Sequence, residues 1–248
     1  KFQTINEEIG GYFSGNMYAW FGRSGRGKSV FVMEEAIEAA YQGANVLIWA
    51  MEMSRFEVMA RFYASMSARQ GEMRATIDGV DMEVGFPNRD MLGGSLSEEM
   101  EEALESFLSR LNLMMPGNIT IRAADDEDFY SRSLRDLESD IIRTKADVVV
   151  IDPFYYLDYE TNTSRTTGGD AANTSVKLRA LAGRTRTCIH AITQADEDGQ
   201  KSDETRELDA PARKDVLKTK ALLQDSANLF AIDTLDGRGI IQLGKGRQ

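Results

Sequence analysis

Gly22-Arg23-Ser24-Gly25-Arg26-Gly27-Lys28-Ser29 follows an apolar run, Met17-Tyr18-Ala19-Trp20-Phe21, and leads into residues 29–42, where Val32, Ala36, Ile37 and Ala40 recur at helical spacing. The octet fits the pattern GxxxxGK[ST], and strand, loop and helix in that order are the setting in which the pattern has a mechanism. Glycines let the backbone wrap phosphate oxygens with its N–H groups, and the N-terminus of the next helix adds positive potential. Gly22, Arg23, Ser24, Gly25, Arg26, Gly27, Lys28 and Ser29 are therefore the expected phosphate cradle. Lys28 is expected to reach the β- and γ-phosphates, and the Ser29 hydroxyl to ligate Mg2+.

Such a cradle needs a carboxylate at the end of a neighbouring buried strand to hold the cation. Val148-Val149-Val150-Ile151-Asp152 supplies one: four β-branched residues in a row predict a strand buried on both faces, with Asp152 at its C-terminal end. Burying an Asp there is costly without a cation, although a strand-end Asp can also cap the next turn.

Further strands are expected over 45–51, 119–123 and 187–193, beside the Val148–Ile151 run already described, whose strand is read over 147–151, with two short ones over 228–233 and 239–243. Helices are expected over 55–70, 97–112, with Ser97 as N-cap, and 131–145. Residues 71–91, rich in Gly, Asp and Asn with little period, predict a surface insertion or irregular connection. The alternation of strands and helices predicts an α/β fold with a mostly parallel twisted sheet flanked by helices. With 248 residues, 42% of them hydrophobic, residues 1–248 are expected to form one domain.

The formal net charge of −11 excludes a surface that coats nucleic acid everywhere, so any such contact must be local. No apolar run is long enough to span a bilayer. Cys188, the single cysteine, cannot form an internal disulfide and fits a reducing cytoplasm; it is expected in the core. His190, the single histidine, offers no metal cluster or His-based triad and is expected inside its strand with satisfied hydrogen bonds. A first residue that is Lys and a polar close at residues 244–248 are read as the ends of a fragment of a longer protein.

Three more segments point to a family. Val46-Leu47-Ile48-Trp49-Ala50-Met51-Glu52-Met53 resembles the strand of DnaB-type helicases that ends in Leu-Glu-Met, with Met51 in place of Leu. Thr193-Gln194 resembles the Ser-Gln after a later family strand, and Gly244-Lys245-Gly246-Arg247 the family's Gly-Lys-x-Arg. With the octet and Asp152, these follow the family's order across essentially the whole chain.

The resemblance implies a RecA-like P-loop NTPase that hydrolyses ATP with Mg2+. It also implies a ring, a homo-hexamer, that moves 5′ to 3′ on single-stranded DNA and separates the duplex, in the cytoplasm of a bacterium or of a phage's host. Glu52 would polarise the attacking water, and Gln194 would report the γ-phosphate to the following loop. Lys245 and Arg247 would reach a neighbouring subunit's nucleotide, although a basic tail is the plainer reading. An amino-terminal primase-interacting domain would lie upstream, with primase and a helicase loader as partners.

DNA contacts are expected from loops over 158–172, where Arg165 is the only base, and 195–220, whose end carries Arg213, Lys214, Lys218 and Lys220. Two departures stand out. Val216-Leu217-Lys218-Thr219-Lys220 lacks the Arg, Glu and Gly of the family's DNA-gripping segment, ahead of a family-like Gln224-Asp225. Pro153-Phe154-Tyr155-Tyr156 replaces the usual Tyr-Leu-Gln, and its aromatics are expected in core or interface packing. Two rival readings stay open: a recombinase of the RecA or RadA type, for which no polymerisation segment is visible, and a KaiC-like regulatory ATPase without DNA, which the acidic charge favours.

Overall fold

The structure is a computed structural model and describes residues 2–163, 167–196, 206–216 and 220–244. In chain order the elements are α1 (Gln3–Ile9), β1 (Met17–Gly22), α2 (Lys28–Tyr41), β2 (Asn45–Ala50), α3 (Arg55–Gln70), β3 (Met73–Ile77), β4 (Val80–Val84) and α4 (Asn88–Gly93). There follow α5 (Glu98–Met114), β5 (Asn118–Ala123), α6 (Leu134–Thr144), β6 (Val148–Asp152), α7 (Gly169–Thr185), β7 (Cys188–Gln194), α8 (Lys220–Asp225), β8 (Asn228–Leu235) and β9 (Arg238–Gly244).

Seven strands form one sheet in the order β5-β2-β6-β7-β1-β8-β9, and every neighbouring pair is parallel except the hairpin β8-β9. Side chains alternate across a strand, so the continuous apolar runs feed two cores. Ala19, Phe21, Leu47, Trp49, Val149 and Ile151 pack on one face with Leu137 and Ile141 of α6 and Leu178 and Leu181 of α7. Tyr18, Trp20, Val46, Ile48 and Val150 pack on the other with Val32 and Ile37 of α2, Val58 and Phe62 of α3 and Phe107 of α5. The expected α/β architecture, a mostly parallel sheet covered by helices on both faces, is the one observed.

Residues 71–91, expected as a surface insertion or irregular connection, are a largely exposed but regular segment. They fold into the antiparallel hairpin β3-β4 and the short helix α4. Asp78 and Gly79 both take positive φ, 52° and 79°, the backbone a tight two-residue hairpin turn requires. The loop expected over 158–172 also ends early: Gly169 opens α7, and Ala172 is buried in that helix. The helix expected over 131–145 starts at Leu134, where Ser133 accepts the N–H of Asp136 as N-cap.

Candidate nucleotide site

Parallel pairing sets the C-terminal ends of β2, β6, β7 and β1 side by side: Ala50 lies opposite Asp152, and Gly22 opposite Gln194. The chain leaves this edge through loops, the place where open α/β sheets bind ligands. A cleft of about 420 Å3 opens there, between the P-loop, Glu52, Asp152, Tyr155 and Gln194. A larger cleft of about 1110 Å3 lies at the opposite end of the sheet, near Met17 and Asn228, and holds none of the expected phosphate-binding residues.

The P-loop keeps its glycines for steric reasons. A Cβ on Gly22 would stand 2.6 Å from the Ile232 carbonyl oxygen of β8, and Gly27, the N-cap of α2, takes φ 80°. Lys28 opens α2, and its Nζ donates to the Arg23 carbonyl at 2.7 Å, which lays the ammonium across the mouth of the loop. Ser29 hydrogen-bonds Asp152.

Asp152 is buried, and its Oδ2 has no hydrogen-bond partner. Burial pushes its carboxyl up to about 6; the Ser29 hydrogen bond and the Lys28 charge act downward, while Glu52 adds to the rise. A buried carboxylate oxygen left bare beside a hydroxyl is what a hard cation would complete. Among the described residues no three His, Cys, Asp or Glu side chains cluster to hold a metal by themselves. A hydroxyl and one carboxylate fit Mg2+ that arrives with phosphates, because that ion takes few protein ligands and shares the substrate's oxygens.

Glu52 is aimed by its neighbours. Met51 and Met53 on either side are buried, the Met51 N–H donates to the Asp152 carbonyl at 2.8 Å, and the Met53 carbonyl accepts from Ala124 N–H at 3.0 Å. The exposed Glu52 side chain is thereby held at the cleft. Ser54 then starts α3 with a reciprocal capping box, accepting from Glu57 N–H while its own N–H donates to the Glu57 carboxylate at 2.7 Å. Those hydrogen bonds hold the Glu57 carboxyl below the ordinary range.

Gln194 ends β7, and the Tyr155 hydroxyl donates to its Oε1 at 3.3 Å. Burial, with Glu52 as second cause, pushes the Tyr155 hydroxyl up to about 12. Arg213 and Lys214 are exposed on a turn carried back to the end of β7 by the Ala195–Val216 bridge, and Lys220 is exposed at the start of α8. Lys218, Lys245, Arg247 and Arg165 lie outside the described residues.

Several residues escape a reading of the sequence alone. Arg61 of α3 lines the cleft beside Glu52 and Asp152, and its charge acts on Asp152 and Glu57. The i, i+4 spacing of Glu57 and Arg61 is the available signal. Of the aromatics expected in core or interface packing, Phe154 is core and Tyr155 lines the cleft. Asp233, fully buried in β8, binds Arg206 at 2.5 Å, accepts from Asp209 N–H at 2.9 Å and lies 3.9 Å from Arg26 of the P-loop. Arg23 donates to the Asp209 carbonyl at 2.9 Å, so residues 206–209 strap the back of the P-loop to β8. Nothing in the one-dimensional pattern marks that network.

This fold and this cleft define a P-loop domain of the RecA-like type. The chain belongs to the family of the DnaB-like helicase C terminal domain, whose pattern it matches over residues 1–232. Comparison with curated protein sequences finds no match. Among solved structures it is similar to a DnaB-like replicative helicase studied for its interactions with primase, with TM-score 0.67 and 16% identity over 98% of this chain and 57% of that one. It is also similar to a second solved structure, that of an ATPase domain, with TM-score 0.67 and 16% identity over 98% of this chain and 84% of that one. The chain thus spans little more than half the length of the first of these structures. No helix among the described residues is long and apolar enough to cross a membrane.

Proposed function

We propose that the chain is the motor domain of a ring-forming replicative DNA helicase, coupling hydrolysis of ATP with Mg2+ to 5′–3′ movement on single-stranded DNA. The observation that carries this reading is the bare, buried Asp152 Oδ2 beside Ser29 and the P-loop, with Glu52 and Gln194 on the same edge. Backbone N–H groups of Gly22 to Ser29 bind the phosphates, and Lys28 shifts from the Arg23 carbonyl to the terminal ones. Ser29 and Asp152 would hold Mg2+, which would supply positive charge to the bound phosphates. Glu52, fixed between two buried methionines, orients and polarises the attacking water.

Gln194 donates an amide N–H to the γ-phosphate and passes its presence to residues 195–220, where Arg213, Lys214, Lys218 and Lys220 would follow the DNA backbone. Lys245 and Arg247 would complete the site of the next subunit in a homo-hexamer. Primase and a loader are the expected protein partners, in keeping with the primase interactions of the similar helicase.

The test is ATP hydrolysis by the assembled protein with and without single-stranded DNA, for the parent and for Lys28→Ala. DNA should stimulate hydrolysis, and Lys28→Ala should lower the stimulated rate by on the order of a hundredfold or more, because a preorganised cation at the transferring phosphoryl group is lost. Hydrolysis indifferent to DNA would remove the helicase reading and favour the regulatory ATPase that the net charge of −11 also suits.

A further inference from the structure

Gln194 lies at the cleft edge with one carbonyl oxygen and two N–H donors on its amide. Only the donor end suits a phosphate; the other end would meet it with like charge. Which end faces the cleft is therefore a matter of orientation, and an unrestrained terminal amide samples both. Tyr155 supplies a restraint. It belongs to the short 3₁₀ turn Phe154–Tyr156 that leaves β6 directly after Asp152, and its hydroxyl donates to Gln194 Oε1 at 3.3 Å. The ring has little freedom of its own, since Phe154 on one side is in the core and Tyr156 on the other packs edge-on at 5.2 Å.

We infer that Tyr155 is a positioning residue for Gln194: by occupying Oε1 it leaves the amide N–H groups for the γ-phosphate, and it ties the end of β6 to the end of β7 across the reaction site. The inference rests on the role proposed for Gln194 and adds the group that gives that role its direction. A Phe at 155 would fill the same space and lose only the donor.

The experiment is a double-mutant cycle on the assembled full chain, with steady-state ATP hydrolysis in the presence of single-stranded DNA, for the parent, Tyr155→Phe, Gln194→Ala and the pair. Tyr155→Phe should lower kcat roughly 3- to 10-fold, the rate equivalent of one neutral hydrogen bond, with KM for ATP within about twofold of the parent. The pair should be no slower than Gln194→Ala alone. A merely structural hydroxyl would instead lower the melting temperature and give losses that multiply. Tyr155→Phe at the parental rate beside a slow Gln194→Ala, or multiplying losses, overturns the relay and leaves Gln194 in place. A parental rate for Gln194→Ala overturns the role of Gln194 and the relay with it.

Discussion

His190 sits in β7 with both ring nitrogens engaged: Trp20 Nε1–H donates to Nδ1 at 3.0 Å, and Cys188 Sγ lies 3.4 Å from Nε2. An indole nitrogen only donates, so Nδ1 must be bare, the proton resides on Nε2, and the ring is neutral. Tyr18 stacks on it and Tyr12 meets it edge-on, and the ring is buried. Burial pulls the imidazole from 6.5 down to about 3. The unfolded chain therefore binds a proton between about pH 6.5 and 3 that the folded chain refuses. Stability from this group is full above pH 6.5 and drains as the pH falls toward 3, at up to about 1.4 kcal/mol per unit. His190→Asn, whose carbonyl can still accept from Trp20, should flatten the fall in urea-unfolding free energy between pH 7 and pH 5 by about 2 kcal/mol. Parallel slopes for the two proteins would mean that the ring takes up its proton in the folded state.

At the scale of elements, legibility follows the physics of burial. β1, β2 and β6 carry continuous apolar runs and β7 one interrupted by His190, because both faces of a parallel strand are covered, and the P-loop tolerates few residue types, so these are readable with their end residues Asp152, Glu52 and Gln194. Helix α7 is not: it opens on glycines, and its buried side begins Ala172, Asn173, Thr174, Ser175, which carries no apolar period. The hairpin β3-β4 does carry a signal, Asp78-Gly79 between Ile77 and Val80, but the polar residues around it mask the strands. Tyr155 and Arg61 reach the cleft only through the fold. So does the strap over β8, where Arg206 Nη2 also donates to the Thr234 carbonyl. Removing its hub should be expensive: Asp233→Ala takes the carboxylate from beside the Arg206 guanidinium, whose side chain is 5% exposed, and should cost about 3 to 5 kcal/mol in urea unfolding. Asp233→Leu combined with Arg206→Met should recover most of that loss, since a neutral pair has no charge to desolvate. A loss under about 1 kcal/mol for Asp233→Ala would show the strap to be peripheral.

Over the whole molecule, 40 acidic and 29 basic residues give a net charge that repels polyanions, so any attraction to a DNA strand has to come from a small area. The Ala195–Val216 bridge and the Asp196 N–H bond to the Asp215 carbonyl, 2.7 Å, bring the turn with Arg213 and Lys214 to the end of the strand that carries Gln194. Asp215, the acid within that turn, is half-buried and accepts from Ala212 N–H at 2.8 Å, which leaves the two cations as the exposed charges there. If they meet phosphates, binding releases counterions, and affinity falls with salt in proportion to the number of phosphates met. Replacing Arg213 and Lys214 together by Gln should weaken single-strand binding. It should also flatten the slope of log K against log salt by roughly 1.4, about 0.7 for each phosphate on a single strand. Fluorescence anisotropy of a labelled oligonucleotide across a salt series reads both quantities at once. An unchanged slope would take this turn off the DNA path. Binding without salt dependence in the parent protein would mean that the acidic surface, rather than the basic turn, describes its partners.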